Sequence, residues 1–232
     1  KSTAWSAASA GEIRVQKSMA NFTMEYAHQM TMLWLALACG GAISPDTGTR
    51  KAIASCDFHL DDLPPPASAS ELLTLLGVAR ASAHPDLADV DIDLDIMVSD
   101  SDYFVSNLDL STFASPPAER RYLVYYNSLI FDDPPSYAAV GAILVHELKH
   151  VADYTTMDAE ALAEFAVWYA QGDVAAYERE TDEYALRAGC GPGLIEYREW
   201  LYARIDDETL AEKQRDYYTP SEIETWMSEN PD

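Results

Sequence analysis

Ser136-Tyr137-Ala138-Ala139-Val140-Gly141-Ala142-Ile143-Leu144-Val145-His146-Glu147-Leu148-Lys149-His150-Val151-Ala152 is the stretch on which the reading of this chain turns. Ser136 follows Asp132-Asp133-Pro134-Pro135, which breaks the chain, and a serine there can cap a helix. The residues after it are apolar almost all round, so the predicted helix from Tyr137 to about Tyr154 is buried. Yet it carries His146, Glu147 and His150. The chain has five histidines in all, and two of them fall here, four residues apart. On a helix, positions i and i+4 project from one face. Two neutral imidazoles there can grip one metal ion, with Glu147 beside them to act on an activated water. Without such partners, burying these groups is costly.

The bulk composition is compatible with this. The 232 residues suffice for one domain with appendages, and 48% hydrophobic content supports a core. Acids outnumber bases 39 to 15, the net charge is −24 and the pI is near 4.3. That balance excludes generic affinity for nucleic acid or anionic membranes and reads first as a solvated acidic surface.

The N-terminal part reads separately. Residues 1–38 are a candidate leader segment or N-terminal helix. The run Met30-Thr31-Met32-Leu33-Trp34-Leu35-Ala36-Leu37-Ala38 has the length of a signal-peptide core and ends in an A-x-A cleavage pattern. It is too short to span a bilayer. With Cys39-Gly40-Gly41 it also resembles the lipobox of bacterial lipoproteins, which implies a lipidated Cys39, a membrane tether and an extracytoplasmic location. Residues 39–69 read as a linker, with Gly40-Gly41, Pro45-Asp46-Thr47-Gly48 and Pro64-Pro65-Pro66. If Cys39 is lipidated, Cys56 and Cys190 remain as a disulfide pair; otherwise Cys39–Cys56 pair and Cys190 is left over.

The main domain is read as 70–232. Ser70 is expected to cap a helix over Glu71–Ser82, ended by Pro85. Val90 to Val98 alternates apolar and acidic residues, as a half-buried strand does. Its D-x-D-x-D run lacks the glycine and the distal glutamate of an EF-hand loop. Further strands are expected over Tyr103–Val105 and Arg121–Ile130. After the central helix come helices near 158–170, 174–188, 194–205 and 221–227, punctuated by Gly172 and Gly189-Cys190-Gly191-Pro192-Gly193. The fold class is therefore α+β: a small antiparallel or mixed sheet packed on an active-site helix, followed by a helical C-terminal part.

A catalytic zinc site wants three protein ligands and an open position. No histidine follows His150, so the third ligand is expected to be a carboxylate. In Tyr177-Glu178-Arg179-Glu180-Thr181-Asp182-Glu183-Tyr184-Ala185-Leu186, Glu178 and Asp182 share one helical face. Glu178 is the expected ligand, with Glu180 and Glu183 as alternatives. Asp182 is expected to accept the Nδ1–H of His146 and fix its tautomer.

H-E-x-x-H followed by E-x-x-x-D resembles the glutamate-zincins, of thermolysin type, and more closely the CAAX-prenyl-protease group and its soluble relatives. Their third-ligand helix reads roughly E-x-x-A-D-x-[FY]-A; here Thr181 replaces the alanine, while Asp182, Tyr184 and Ala185 match. The resemblance covers Leu123 to Leu186. It implies a zincin-like fold, a Zn²⁺ cofactor and hydrolysis of peptide bonds in a peptide or protein substrate, with Glu147 as general base. No apolar run here is long enough for the membrane helices of the prenyl proteases, so their substrates are not implied. It also implies that the strand before the active helix is an antiparallel edge that holds substrate. That places Asn127 and Ser128 as candidate substrate contacts. An electrophile is implied too, with Tyr154, Tyr169, Tyr197 and Tyr202 eligible. The alternative function is a non-catalytic extracytoplasmic binding module on the same fold. Leu210–Asp232, acidic and tyrosine-rich, is a candidate for self-restraint near the cleft.

Overall fold

The computed structural model describes residues 63–172 and 174–231, all within a compact unit spanning Thr49–Asp232. The leader or helix expected at 1–38, Cys39 and its lipidation, Cys56 and the linker up to residue 62 lie outside the described residues. No helix among the described residues is long and apolar enough to cross a membrane.

The architecture is α+β. Helix α1 (Ala69–Ala83) is followed by strands β1 (Asp91–Met97), β2 (Phe104–Leu108) and β3 (Arg121–Asn127). Then come helices α2 (Tyr137–Thr155), α3 (Ala159–Ala170), α4 (Ala175–Arg187), α5 (Gly191–Tyr202), α6 (Asp207–Asp216) and α7 (Pro220–Glu229). The cap of α1 is Ser68, two residues ahead of the expected Ser70: its hydroxyl accepts from the Glu71 N–H. Ser136 caps α2 as expected, accepting from Ala139 N–H. Helix α6 was not foreseen. It buries no residue, so it carries no apolar periodicity to read, and only its cap Asp206 marks its start.

The sheet has the order β1-β3-β2, with β1 parallel and β2 antiparallel to β3. β3 is thus the central strand. This corrects the expectation that Tyr122–Ile130 forms an edge for substrate: its backbone groups are committed on both sides, and it ends at Asn127 in a 3₁₀ turn over Ser128–Phe131. The antiparallel edge next to α2 is β2. Phe104, Ser106 and Leu108 are its buried face, and the Ser106 hydroxyl donates to the Glu147 carbonyl at 2.8 Å.

Helix α2 is the core of the fold, buried from Ala139 through Leu148 and again at His150 and Val151. It is packed by α1, α4, α5 and β2. The approach of α5 is set by Gly193. A Cβ there would lie 2.6 Å from the Ala138 carbonyl oxygen and 2.8 Å from Ala142 Cβ. Cys190, buried ahead of α5, is disulfide-bonded, which rules out the pairing that leaves it over.

His84, after α1, braces the two helices that matter most. Its Nε2–H donates to the Val145 carbonyl at 3.0 Å, and its ring stacks on Tyr184 of α4 at 4.6 Å. Tyr184 in turn donates to the Ala83 carbonyl at 2.6 Å. Burial drives the pKa of His84 down to about 4, against the opposing pull of the Val145 hydrogen bond and of Asp86. The folded chain therefore keeps His84 neutral where the unfolded chain, near 6.5, takes up a proton.

Two measurements check this packing. Gly193→Ala is expected to lose roughly 1–3 kcal/mol in thermal or urea unfolding through overpacking. Gly77→Ala, exposed in α1 with open space around it, is expected to gain roughly 0.5–1 kcal/mol. The contribution of His84 is fully present above pH 6.5 and is lost as pH falls toward 4, a decline of roughly 3 kcal/mol. His84→Gln is expected to flatten the stability–pH curve over that window; an unchanged slope would contradict the burial of a neutral ring.

Candidate metal centre

His146 and His150 come from consecutive turns of α2 and Glu178 from the first turn of α4. The three are buried, and together they form the one group among the described residues whose ligand atoms could hold a metal ion. The two Nε2 atoms are 3.2 Å apart, and each is 3.3 Å from Glu178 Oε2. A triangle with sides of about 3.3 Å has its centre about 1.9 Å from every corner. An ion about 0.6–0.9 Å out of that plane would sit about 2.0–2.1 Å from all three, the usual range for nitrogen and oxygen ligands of zinc. Glu178 Oε2 is also buried and without a hydrogen-bond partner, which a buried carboxylate oxygen avoids unless something else satisfies it.

Each ligand is oriented from behind. His146 Nδ1–H donates to Asp182 Oδ1 at 2.9 Å. Asp182 is fully buried and takes two further donors, Arg198 at 2.9 Å and the Tyr218 backbone N–H at 2.9 Å. Burial alone would raise the pKa of Asp182, but the Arg198 guanidinium and His146 hold it below its ordinary value. His150 Nδ1–H donates to the Tyr177 hydroxyl at 2.9 Å, and that hydroxyl donates to Asp153 Oδ2 at 3.3 Å. Asp153 is paired with Lys149 at 2.5 Å. Both imidazoles thereby present an Nε2 lone pair to the same point. Glu178 is held by its other oxygen, which accepts from the Tyr169 hydroxyl at 2.7 Å. Burial beside Glu178 raises the Tyr169 pKa far above the ordinary phenol value, so Tyr169 remains a donor.

The electrostatics favour a cation at this point. Burial opposes a charge on His146, yet the hydrogen bond to Asp182 and the negative charge of the nearby Glu178 carboxylate outweigh it and raise the pKa to about 9. Burial pushes Glu178 up, and the two histidines overcome that and hold it well below the carboxylate range. Glu147 lies next to these groups, buried, with Oε2 lacking any partner.

The residues anticipated from sequence thus divide. His146, Glu147, His150, Glu178 and Asp182 come together. Glu180 is exposed, and Glu183 is engaged by Arg187 and by the Tyr218 hydroxyl. Asn127 is buried: its amide donates to the Ser99 carbonyl at 2.7 Å and its oxygen accepts from Leu129 N–H. It therefore braces a turn. Ser128 lies exposed in that turn. Among the eligible tyrosines, Tyr169 supports Glu178, and Tyr154 lies nearly parallel to the His150 ring at 6.4 Å. Tyr197 is buried against Phe104 and Trp200, within the field of Glu147. The Tyr202 hydroxyl is buried near Arg198.

Sequence reading missed Tyr177, Arg198 and Tyr217. The Tyr217 ring lies 5.9 Å from that of His146 and 4.6 Å from the Arg198 guanidinium. Arg198 sits beyond the stretch that carries the motif, and an arginine within a helix gives no sign of where its charge will be buried.

Comparison with known proteins finds no match: no family model, no curated protein and no solved structure is similar to the chain. The description of this centre therefore rests on its own geometry, a buried His-His-Glu cluster able to hold a metal ion.

Removing a supporting hydrogen bond should weaken the metal more than removing an exposed acid. Asp182→Asn and Tyr169→Phe are each expected to lower Zn²⁺ or Co²⁺ affinity about 10–100-fold in a competition titration. Glu180→Gln is expected to leave it unchanged. Equal affinity in all three variants would contradict the assigned supports.

Proposed function

We propose that this chain is a zinc-dependent peptidase, with His146, His150 and Glu178 holding Zn²⁺ and Glu147 acting as general base. One observation carries the reading: three ligand atoms share a point about 1.9 Å from each, and Glu147, next to His146 in the chain and acting electrostatically on it, keeps a buried, unpartnered oxygen. Zinc bound there would polarise a carbonyl and lower the pKa of water toward neutrality.

The remaining chemistry belongs to the chain. Glu147 Oε2 takes the proton of the attacking water and passes it to the nitrogen of the leaving amine. The Nδ1–H groups of His146 and His150 stay on Asp182 and Tyr177, so neither ring turns away from the metal. A substrate backbone can pair with β2, whose outer edge bonds no other strand among the described residues. The Ser106 hydroxyl of that strand donates to the backbone carbonyl of Glu147, which supports a substrate path along β2 toward the general base. The donor set supports zinc over calcium or magnesium: two imidazoles and one carboxylate suit zinc, whereas those ions take oxygen ligands. A peptidase acting outside the cytoplasm, tethered through a lipidated Cys39, is consistent with the N-terminal sequence and with the acidic surface.

Glu147→Gln tests the mechanism directly. The variant is expected to keep the wild-type zinc content and to lose peptide hydrolysis by about 10³-fold or more. Zinc content is read by elemental analysis and turnover with a peptide library, each with and without chelator. Undiminished, chelator-insensitive turnover would rule out this role for Glu147.

A further inference from the structure

Helix α6 is the anomaly of the C-terminal part. Its neighbour α7 is anchored by the fully buried Ile223 and by a reciprocal cap between Thr219 and Glu222. Helix α5 is set against α2 at Gly193 and buries Leu194 and Leu201. Between them α6 buries nothing. It is held by particular polar contacts. Lys213 Nζ reaches Asp102 Oδ1 at 2.5 Å, across 111 residues of sequence. Asp102 lies in the loop that leads into β2, where Ser101 also donates to it at 2.7 Å. At the C-terminal end of α6, Tyr217 takes an extended conformation and turns its ring toward His146, 5.9 Å away. The ring lies between two cations, Arg198 at 4.6 Å and Lys213 at 5.3 Å. Its hydroxyl stands within the fields of Glu178 and Asp102. Tyr217 thus comes within reach of groups from α2, α5 and α6 around the centre.

We propose that residues Ala203–Tyr217 form a strap that opens and closes the metal centre, with Lys213–Asp102 as its latch and Tyr217 as its plug. This rests on the reading of His146, His150 and Glu178 as metal ligands. The hinge at one end is the irregular turn Ala203–Asp206, and at the other the extended Tyr217 itself, just before Tyr218, whose N–H is fixed on Asp182. Helices without buried apolar contacts open locally at low cost, and gating elements are drawn from such segments. Opening moves α6 and Tyr217 while α7 and the support behind His146 stay in place. The structure described is the closed state.

A gate and a structural prop differ in kinetics. A gate changes the rates of metal entry and exit together and leaves the equilibrium alone; a prop changes the affinity. The full chain is loaded with Zn²⁺, mixed with excess chromogenic chelator, and followed for metal loss. Metal-free protein is followed for Zn²⁺ uptake, and Kd is measured by competition. Lys213→Met is expected to speed both loss and uptake on the order of five-fold, the weight of one well-placed ion pair, with Kd changed less than two-fold. Tyr217→Ala is expected to speed both further. Exchanging the charges in Lys213→Asp with Asp102→Lys is expected to restore the slow rates. Unchanged rates in Lys213→Met would overturn the strap. So would faster loss with unchanged uptake and a proportionate rise in Kd. A wild-type chain that takes up no Zn²⁺ would overturn the metal reading and the strap with it, whereas normal uptake with invariant rates would remove the strap alone.

Discussion

Two ring nitrogens and one carboxylate oxygen meet at a single buried point, and the surrounding structure is arranged to keep them there. The cost of burying His146, His150 and Glu178 together is high unless each is hydrogen-bonded and their charges are matched. Asp182, Tyr177 and Tyr169 supply those bonds, one to each ligand. Arg198 then balances Asp182 from the far side. The result is a layered set of contacts in which every ligand has one atom pointed at the shared point and another held from behind. Helix α2 supplies two ligands at a fixed spacing, so the decisive variable is the placement of α4. His84 sets it, by stacking on Tyr184 of α4 while bonding the backbone of α2 one residue before His146.

How much of this is legible in the sequence follows from the range of each interaction. His146, Glu147 and His150 are readable because helical periodicity alone puts the two imidazoles on one face. Glu178 and Asp182 are readable for the same reason, since i and i+4 on α4 serve as ligand and support. Tyr177 and Arg198 are not readable. Their roles depend on where a second helix lies, and no local pattern encodes that. The resemblance to zincins implies that the strand before α2 is an antiparallel edge. In the fold it lies between β1 and β2, and the pairing of β1 across a non-consecutive position decides it. An asparagine ending a strand can contact a ligand or close a turn, and the side chain of Asn127 closes the turn through Ser99 and Leu129.

The C-terminal helices show the opposite limit. Helix α7 has a capping box and one buried isoleucine, enough to place it. Helix α6 has neither an apolar face nor a tertiary core, yet it brings Tyr217 to the rim of the centre. Polar contacts across long sequence separations, such as Lys213 with Asp102, are the part of this fold least encoded locally. The buried apolar contacts gather on α2 and its neighbours, whereas α6 at the rim of the centre buries no residue.

The central claim is that one metal ion is held by these three side chains together. X-ray absorption spectroscopy of the full chain loaded with one equivalent of Zn²⁺ tests it most directly. The account predicts a shell of nitrogen and oxygen atoms at about 2.0–2.1 Å, with the outer-shell scattering of two imidazoles and no sulfur; Glu178→Ala should lose the ion or replace a carboxylate oxygen by solvent. A sulfur shell near 2.3 Å, scattering from fewer than two imidazoles, or a chain that retains no zinc would contradict it.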